Sequence, residues 1–254
     1  VTDDLPLPAP GWYDDPEAAG GMRYWTGTAW GERWHRGGAG QQVEPVGRGF
    51  LRLAVGIRLG LGLSVLALGC RIALSIWGLQ MVDHAVAVGD IDRLNAYDDL
   101  ARIVLILEAV ALPVTGVLWM IWQYRLALAT APQQGLRSPG MHAGSWVIPV
   151  GSFWLPLQNI RALFVAWRGG DPVVVAWWWI AWILYQISIR VVTTMSSSAD
   201  NVSALKNVMA TWIVTGGLGL VAALAARRVV RDLTVAAGDR ARQESVTPEA
   251  SPAD

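Results

Sequence analysis

The sequence predicts an all-α integral membrane fold: four transmembrane helices around a re-entrant or interfacial amphipathic segment, with a small N-terminal Trp-rich β-hairpin module. Three observations carry this. Of 254 residues, 53% are hydrophobic and mean hydropathy is +0.36, beyond what an ordinary soluble domain shows. Four apolar runs reach the ~20 residues that cross a ~30 Å hydrocarbon layer. Finally, the stretch Ser138 to Arg168, SPGMHAGSWVIPVGSFWLPLQNIRALFVAWR, is as apolar as those runs, yet Pro139, Pro149 and Pro156 forbid one continuous helix.

Bulk chemistry excludes several classes. The formal net charge is zero, so no global basic field points to nucleic acid. Cys70 is the single cysteine, which excludes an intrachain disulfide and a cysteine-based metal site. His35, His84 and His142 lie in three separate segments without ligand spacing, and no P-loop or dinucleotide fingerprint occurs. The expectation is a chain with no cofactor, no metal and no enzymatic activity. His142 with Ser138 and Ser145 has no acid near in sequence to orient a nucleophile, so these read as turn and capping residues.

In chain order, residues 6–36 form the head. Trp12, Tyr13, Tyr24, Trp25, Trp30 and Trp34 crowd a short span broken by turn signals at Asp15-Pro16, Gly20-Gly21 and Thr26-Gly27. Strand alternation puts Trp30 and Trp34 on one face and Arg33 and His35 on the other. At about 30 residues the unit is too small for an ordinary core, so stacked aromatics hold it. Trp12, Tyr13, Tyr24, Trp25 and Trp30 are the candidate recognition residues for a protein partner.

Gly11-Trp12-Tyr13-x-Asp15-Pro16, followed by Arg23-Tyr24-Trp25-x-Gly27-x-x-Trp30, resembles a short module at the N-termini of many actinobacterial membrane proteins, whose role is not established. Residues 37–49 read as a flexible Gly-rich linker, and the membrane domain as 50–231, with spans at about 53–79, 101–124, 173–194 and 208–226. The first apolar run, behind the polar head, is expected to act as an uncleaved anchor rather than a signal peptide. Gly56 and Gly60 give a small-xxx-small spacing for close helix approach. Between the first two spans, Met81 to Leu100 reads as an acidic loop, SSSADNVS joins the last two, and 232–254 reads as a largely disordered cytoplasmic tail.

Charge decides the topology. If 138–168 returns to the side it left, Arg48, Arg52, Arg125, Arg137, Arg161, Arg168, Arg227, Arg228 and Arg231 share the cytoplasmic side, and only Arg93, Arg102 and Lys206 face outward. That arrangement obeys the positive-inside rule, whereas a fifth span would erase the bias. The expectation is therefore a multi-pass protein of the bacterial plasma membrane with both termini cytoplasmic, in contact with the lipid bilayer. The segment's own pattern agrees. From Pro156, a residue suited to a helix start, Leu157, Ile160, Phe164 and Trp167 recur on one face while Gln158, Arg161 and Arg168 fall off it.

Ser138-Pro139-Gly140, Trp146-x-x-Pro149 and Pro156-x-Gln158-x-x-Arg161 resemble the signature of an actinobacterial multi-span membrane family known as a domain of unknown function, weakly over about residues 50–230. The resemblance implies architecture and no chemistry; Trp146, Pro149, Pro156, Gln158 and Arg161 are its candidate residues. This chain has Ser152 where the family has Asn and Leu157 where it has Tyr, which weakens any polar site built on those two.

Charges inside spans need a partner or a purpose, since each costs about 2.5–3.5 kcal/mol at a helix centre. Arg71 and Glu108 reach similar depth on adjacent antiparallel helices and are expected to pair, with Arg190 either joining them or snorkelling; Arg58 either snorkels or faces Gln158 or Arg161 across a wet pocket. The remaining tryptophans read mostly as interfacial belt residues. Two functions follow: a non-enzymatic scaffold or interaction protein with a recognition head, or a lipid or small-solute binding or transport protein using the intramembrane Arg and Glu side chains. Four spans enclose little volume, so transport requires a homo-oligomer.

Overall fold

The computed structural model describes residues 10–15, 21–35, 46–130, 136–170 and 172–246. Of the expected linker, residues 37–45 lie outside the described residues, and Arg48 and Gly49 already belong to the first long helix. Three strands, β1 (Gly11–Asp14), β2 (Gly21–Trp25) and β3 (Trp30–His35), form an antiparallel sheet in the order β1-β2-β3. The β2-β3 turn is built on Thr26, whose Oγ accepts from the Ala29 N–H (3.0 Å) and donates to its carbonyl (2.9 Å). Gly27, at φ 98°, occupies a turn position that a Cβ would strain.

Six helices follow: α1 (Arg48–Val88), α2 (Ile91–Leu128), α3 (Pro139–Gly144), α4 (Leu155–Arg168), α5 (Val173–Ser197) and α6 (Val202–Val246). Four of them, α1, α2, α5 and α6, are long and apolar enough to cross a membrane. Consecutive long helices run antiparallel. Gly60 of α1 lies against Thr115 of α2, Gly78 against Tyr97 of α2 and Met209 of α6, and Gly219 of α6 against Tyr185 of α5. The Gly56/Gly60 spacing thus faces α2, where the missing side chains let the helices close.

Three sequence expectations are corrected. The acidic stretch 81–100 is helix, not loop: α1 and α2 meet in a two-residue turn. Gly89 ends α1 in the left-handed region at φ 67° and the Asp90 carboxylate accepts from the Arg93 N–H at 3.1 Å to begin α2, a C-cap and N-cap placed back to back. The SSSADNVS loop shrinks similarly, because α5 runs to Ser197 and α6 starts at Val202. Residues 232–246 continue α6 rather than forming a disordered tail. Val229, Val230, Leu233 and Ala237 are fully buried, at a spacing that extends the apolar stripe past the membrane span. Residues 247–254 lie outside the described residues.

Between α2 and α5 the chain makes α3, a turn, a short 3-10 helix (Gly151–Phe153) and α4. With 14 residues, α4 is about 21 Å long and cannot cross a ~30 Å core. The C-terminus of α2 and the N-terminus of α5 lie at the same end of the bundle, joined by this segment, so it caps that end. The N-terminus of α1 and C-terminus of α6 are there too, since Gly49 meets Arg125 and Trp122 donates to Thr234.

The glycine contacts are testable. Gly60→Leu should wedge α1 from α2 and cost about 1–3 kcal/mol of detergent stability. Gly69→Ala, which meets nothing within 4 Å, should be neutral; equal losses at both sites would contradict the close packing.

Candidate functional site

Two polar constellations and one aromatic face stand out. The first is at span depth. Arg71 Nη2 lies 2.8 Å from Glu108 Oε2, with Nε donating to Oε1 at 3.5 Å, and Arg71 is 6% exposed. Its guanidinium also sits over the Trp212 ring at 4.6 Å, so α1, α2 and α6 share one cation. Arg190 does not join them. It is exposed on α5, as Arg58 is on α1, and among the described residues neither makes an ion pair.

The second constellation lies in and under the cap. Gln123 of α2 is fully buried, and its Oε1 accepts both the Trp119 indole N–H (3.2 Å) and the Trp146 indole N–H (2.9 Å). Trp146 carries the cap into the bundle: its ring meets Trp119 of α2 at 6.2 Å, and Trp178, Trp179 and Trp182 of α5 at 6.2, 5.9 and 6.4 Å. Trp122 donates to Thr234, Trp167 to Thr130 and Trp179 to the Phe153 carbonyl. These tryptophans are therefore a packed cluster at one end of the bundle rather than a lipid-facing belt, because their rings pack on one another and the indole N–H groups of Trp119, Trp122, Trp146, Trp167 and Trp179 donate to protein acceptors. Trp154 and Trp177, 46% and 63% exposed, keep the belt position.

Asn159 organises the cap itself. It is fully buried; Nδ2 donates to the Met141 carbonyl (3.2 Å) and Ser145 Oγ (3.1 Å), and Oδ1 accepts from Arg137 (2.9 Å). The other Arg137 arm donates to Gln158 at 2.7 Å. Thus α4 holds α3 through one amide, and Arg137 clamps both. Pro156 is buried in the first turn of α4, Pro149 is exposed in the turn between α3 and the 3-10 helix, and Gln158 and Arg161 are exposed. His142 is fully buried and makes no ring hydrogen bond among the described residues. Burial, reinforced by Arg137, lowers its pKa from 6.5 to about 4.

In the head, Trp12 and Tyr24 pair edge-to-face on one side of the sheet at 5.4 Å. Tyr13, Trp25 and Trp30 form a row on the other side, with ring centroids 6.2 and 5.1 Å apart and Trp30 36% exposed. Among the described residues no three His, Cys, Asp or Glu side chains gather as a metal site requires.

Gln123, Asn159, Thr130 and Thr234 were missed by sequence reasoning. The available signal was weak: single amides or hydroxyls at helical spacing from tryptophans, as Gln123 stands to Trp119.

Two outcomes follow. Arg71→Ala and Glu108→Ala should each cost about 3 kcal/mol by stranding the other charge, and the double variant should lose less than their sum in detergent melts; strict additivity would mean no contact. Because His142 stays neutral in the fold, the unfolded chain gains the proton first. Stability is full above about pH 6.5, falls by about 3 kcal/mol toward pH 4 and then levels, a slope that His142→Phe should remove.

No curated protein and no solved structure matches this sequence. A family model described as Domain of unknown function (DUF4328) matches residues 86–235, from the end of α1 through α2, the cap, α5 and most of α6. The match covers more than half of the chain and contains Glu108, Gln123, Trp146 and Asn159; the chain belongs to this family.

Proposed function

We propose that the chain is a non-enzymatic scaffold of the bacterial plasma membrane, whose capped four-helix frame anchors a head that recognises a segment of a partner protein. The observation that carries this is the Tyr13–Trp25–Trp30 row on one face of the sheet. Aromatic rows on small sheets receive extended proline-containing segments, which bring a preformed, low-entropy backbone to the groove. That chemistry is the one we assign to the partner. Charge supports the orientation with the capped end, the head and both termini cytoplasmic: Arg48, Arg52, Arg125, Arg137, Arg168 and Arg228 belong to the capped end, whereas Arg93, Arg102 and Lys206 belong to the other.

Transport through the intramembrane charges has less support. Arg71 and Glu108 neutralise one another across α1 and α2, and Arg190 and Arg58 point away from them. The pair serves helix register better than a pathway.

The test is fluorescence polarisation of a labelled proline-rich peptide against the full chain in nanodiscs. Saturable binding should weaken about tenfold or more, ~1.4 kcal/mol, in Trp30→Ala, recover in Trp30→Phe and be untouched by Glu108→Gln. Binding that ignores Trp30, or no saturable binding, would refute the recognition head.

A further inference from the structure

The capped end carries a second arrangement that neither the head nor the ion pair uses. Asp232 of α6, whose side chain is 15% exposed, is shared by three guanidiniums: Arg231 at 3.0 Å, Arg168 of α4 at 3.5 Å and Arg228 at 3.7 Å. Among the described residues one carboxylate meets three cations, an excess of two positive charges in the cluster. The three arginine side chains are 49–63% exposed and accessible to a ligand. Beside them opens a groove of about 520 Å³ lined by Arg168, Arg228 and Asp232 together with the half-buried apolar side chains of Pro172 and Val174. A cationic rim over an apolar wall is complementary to an anionic amphiphile, not to a simple anion.

Depth agrees. The groove sits where α5 begins, at Val173, and α5 with 25 residues is about 38 Å long, so its first turn lies at the hydrocarbon boundary. Exposed Trp177 (63%), one turn further along α5, and exposed Phe153 (59%), whose carbonyl accepts from Trp179, follow this level toward the bundle, as aromatic side chains near headgroups do. The N-terminus of α5, the positive end of its dipole, also lies at this level.

We infer that this groove binds the headgroup of an anionic phospholipid. Its phosphate is taken by Arg168 and Arg228 through paired N–H donors, and its first acyl carbons lie along Pro172 and Val174. Asp232 is then the competitor that holds the arginines in place when lipid is absent, and it weakens lipid binding by repelling the phosphate.

This competition gives the proposal a sign that a purely structural ion cluster would not show. The full chain, purified in neutral detergent, would be titrated with phosphatidylglycerol, phosphatidylcholine or inorganic phosphate, reading retained lipid by native mass spectrometry and Tm by thermal melt. Phosphatidylglycerol should be retained and raise Tm, with retention falling as salt rises; phosphatidylcholine should not. Arg168→Gln with Arg228→Gln should cut retention at least about tenfold, whereas Asp232→Asn should increase it severalfold even though it removes three ion pairs. Should the double Gln variant fail to fold, the Asp232→Asn gain and the salt dependence in the unaltered chain still decide the matter. Equal retention of both lipids, loss of retention in Asp232→Asn, or a Tm rise with inorganic phosphate alone would overturn the assignment.

Discussion

A polypeptide that breaks its helix beside a bilayer must find hydrogen bonds for the freed groups within the protein, and everything at the capped end follows from how residues 138–168 meet that demand. Asn159 is the centre of the solution. Through it the α4 helix supplies a donor to the Met141 carbonyl and to Ser145 and an acceptor to Arg137, so the end of a six-residue helix that could not stand alone is tied to a longer one. Gln123 does the same for the frame below, accepting two indole N–H groups from α2 and the cap. Two buried amides convert an irregular connection into a fixed lid.

With that lid in place the four long helices need few further devices. Small residues on α1 and α6 bring backbones close, and the Arg71–Glu108 pair sets the register of α1 on α2 at a depth where water cannot compete. The indoles of Trp119, Trp146 and Trp178 then join α2 to α5 across the capped end, where large rigid rings fill volume that aliphatic side chains would leave irregular. At the opposite end, tight caps at Gly89 and Asp90 and the Lys206–Asp83 contact at 2.7 Å keep the helices together. The capped end concentrates arginine; the other end is acidic.

Much of this was legible in the sequence because it rests on local rules. Span length, proline placement and the stripe Ile160, Phe164, Trp167 are periodic signals, and the depths of Arg71 and Glu108 follow from counting residues. What was not legible was either masked by composition or depends on long-range packing. The acidic stretch 81–100 and the residues after 231 look like loop and tail by composition, whereas the caps at Gly89 and Asp90 and the helical spacing of Val229, Leu233 and Ala237 are short local signals that charge and polarity outweigh. Likewise, tryptophans near a membrane boundary suit either a belt or a core, and the choice turned on Gln123, Thr130 and Thr234 lying opposite their N–H groups. Whether Arg190 joins Arg71 or snorkels stayed open in the sequence because depth alone does not give the face of α5 on which it stands; it is exposed.

The central claim is that residues 138–168 cap one end of a four-span frame and return the chain to the side it left. Labelling of single cysteines in a Cys70→Ser background measures this directly, with Thr28→Cys in the head, Ser245→Cys near the end of α6 and Ser197→Cys after α5. With a cap, a membrane-impermeant thiol reagent applied to intact cells modifies position 197, while 28 and 245 react together only after permeabilisation. Positions 28 and 245 on opposite sides of the membrane would make the segment a fifth span and contradict the account.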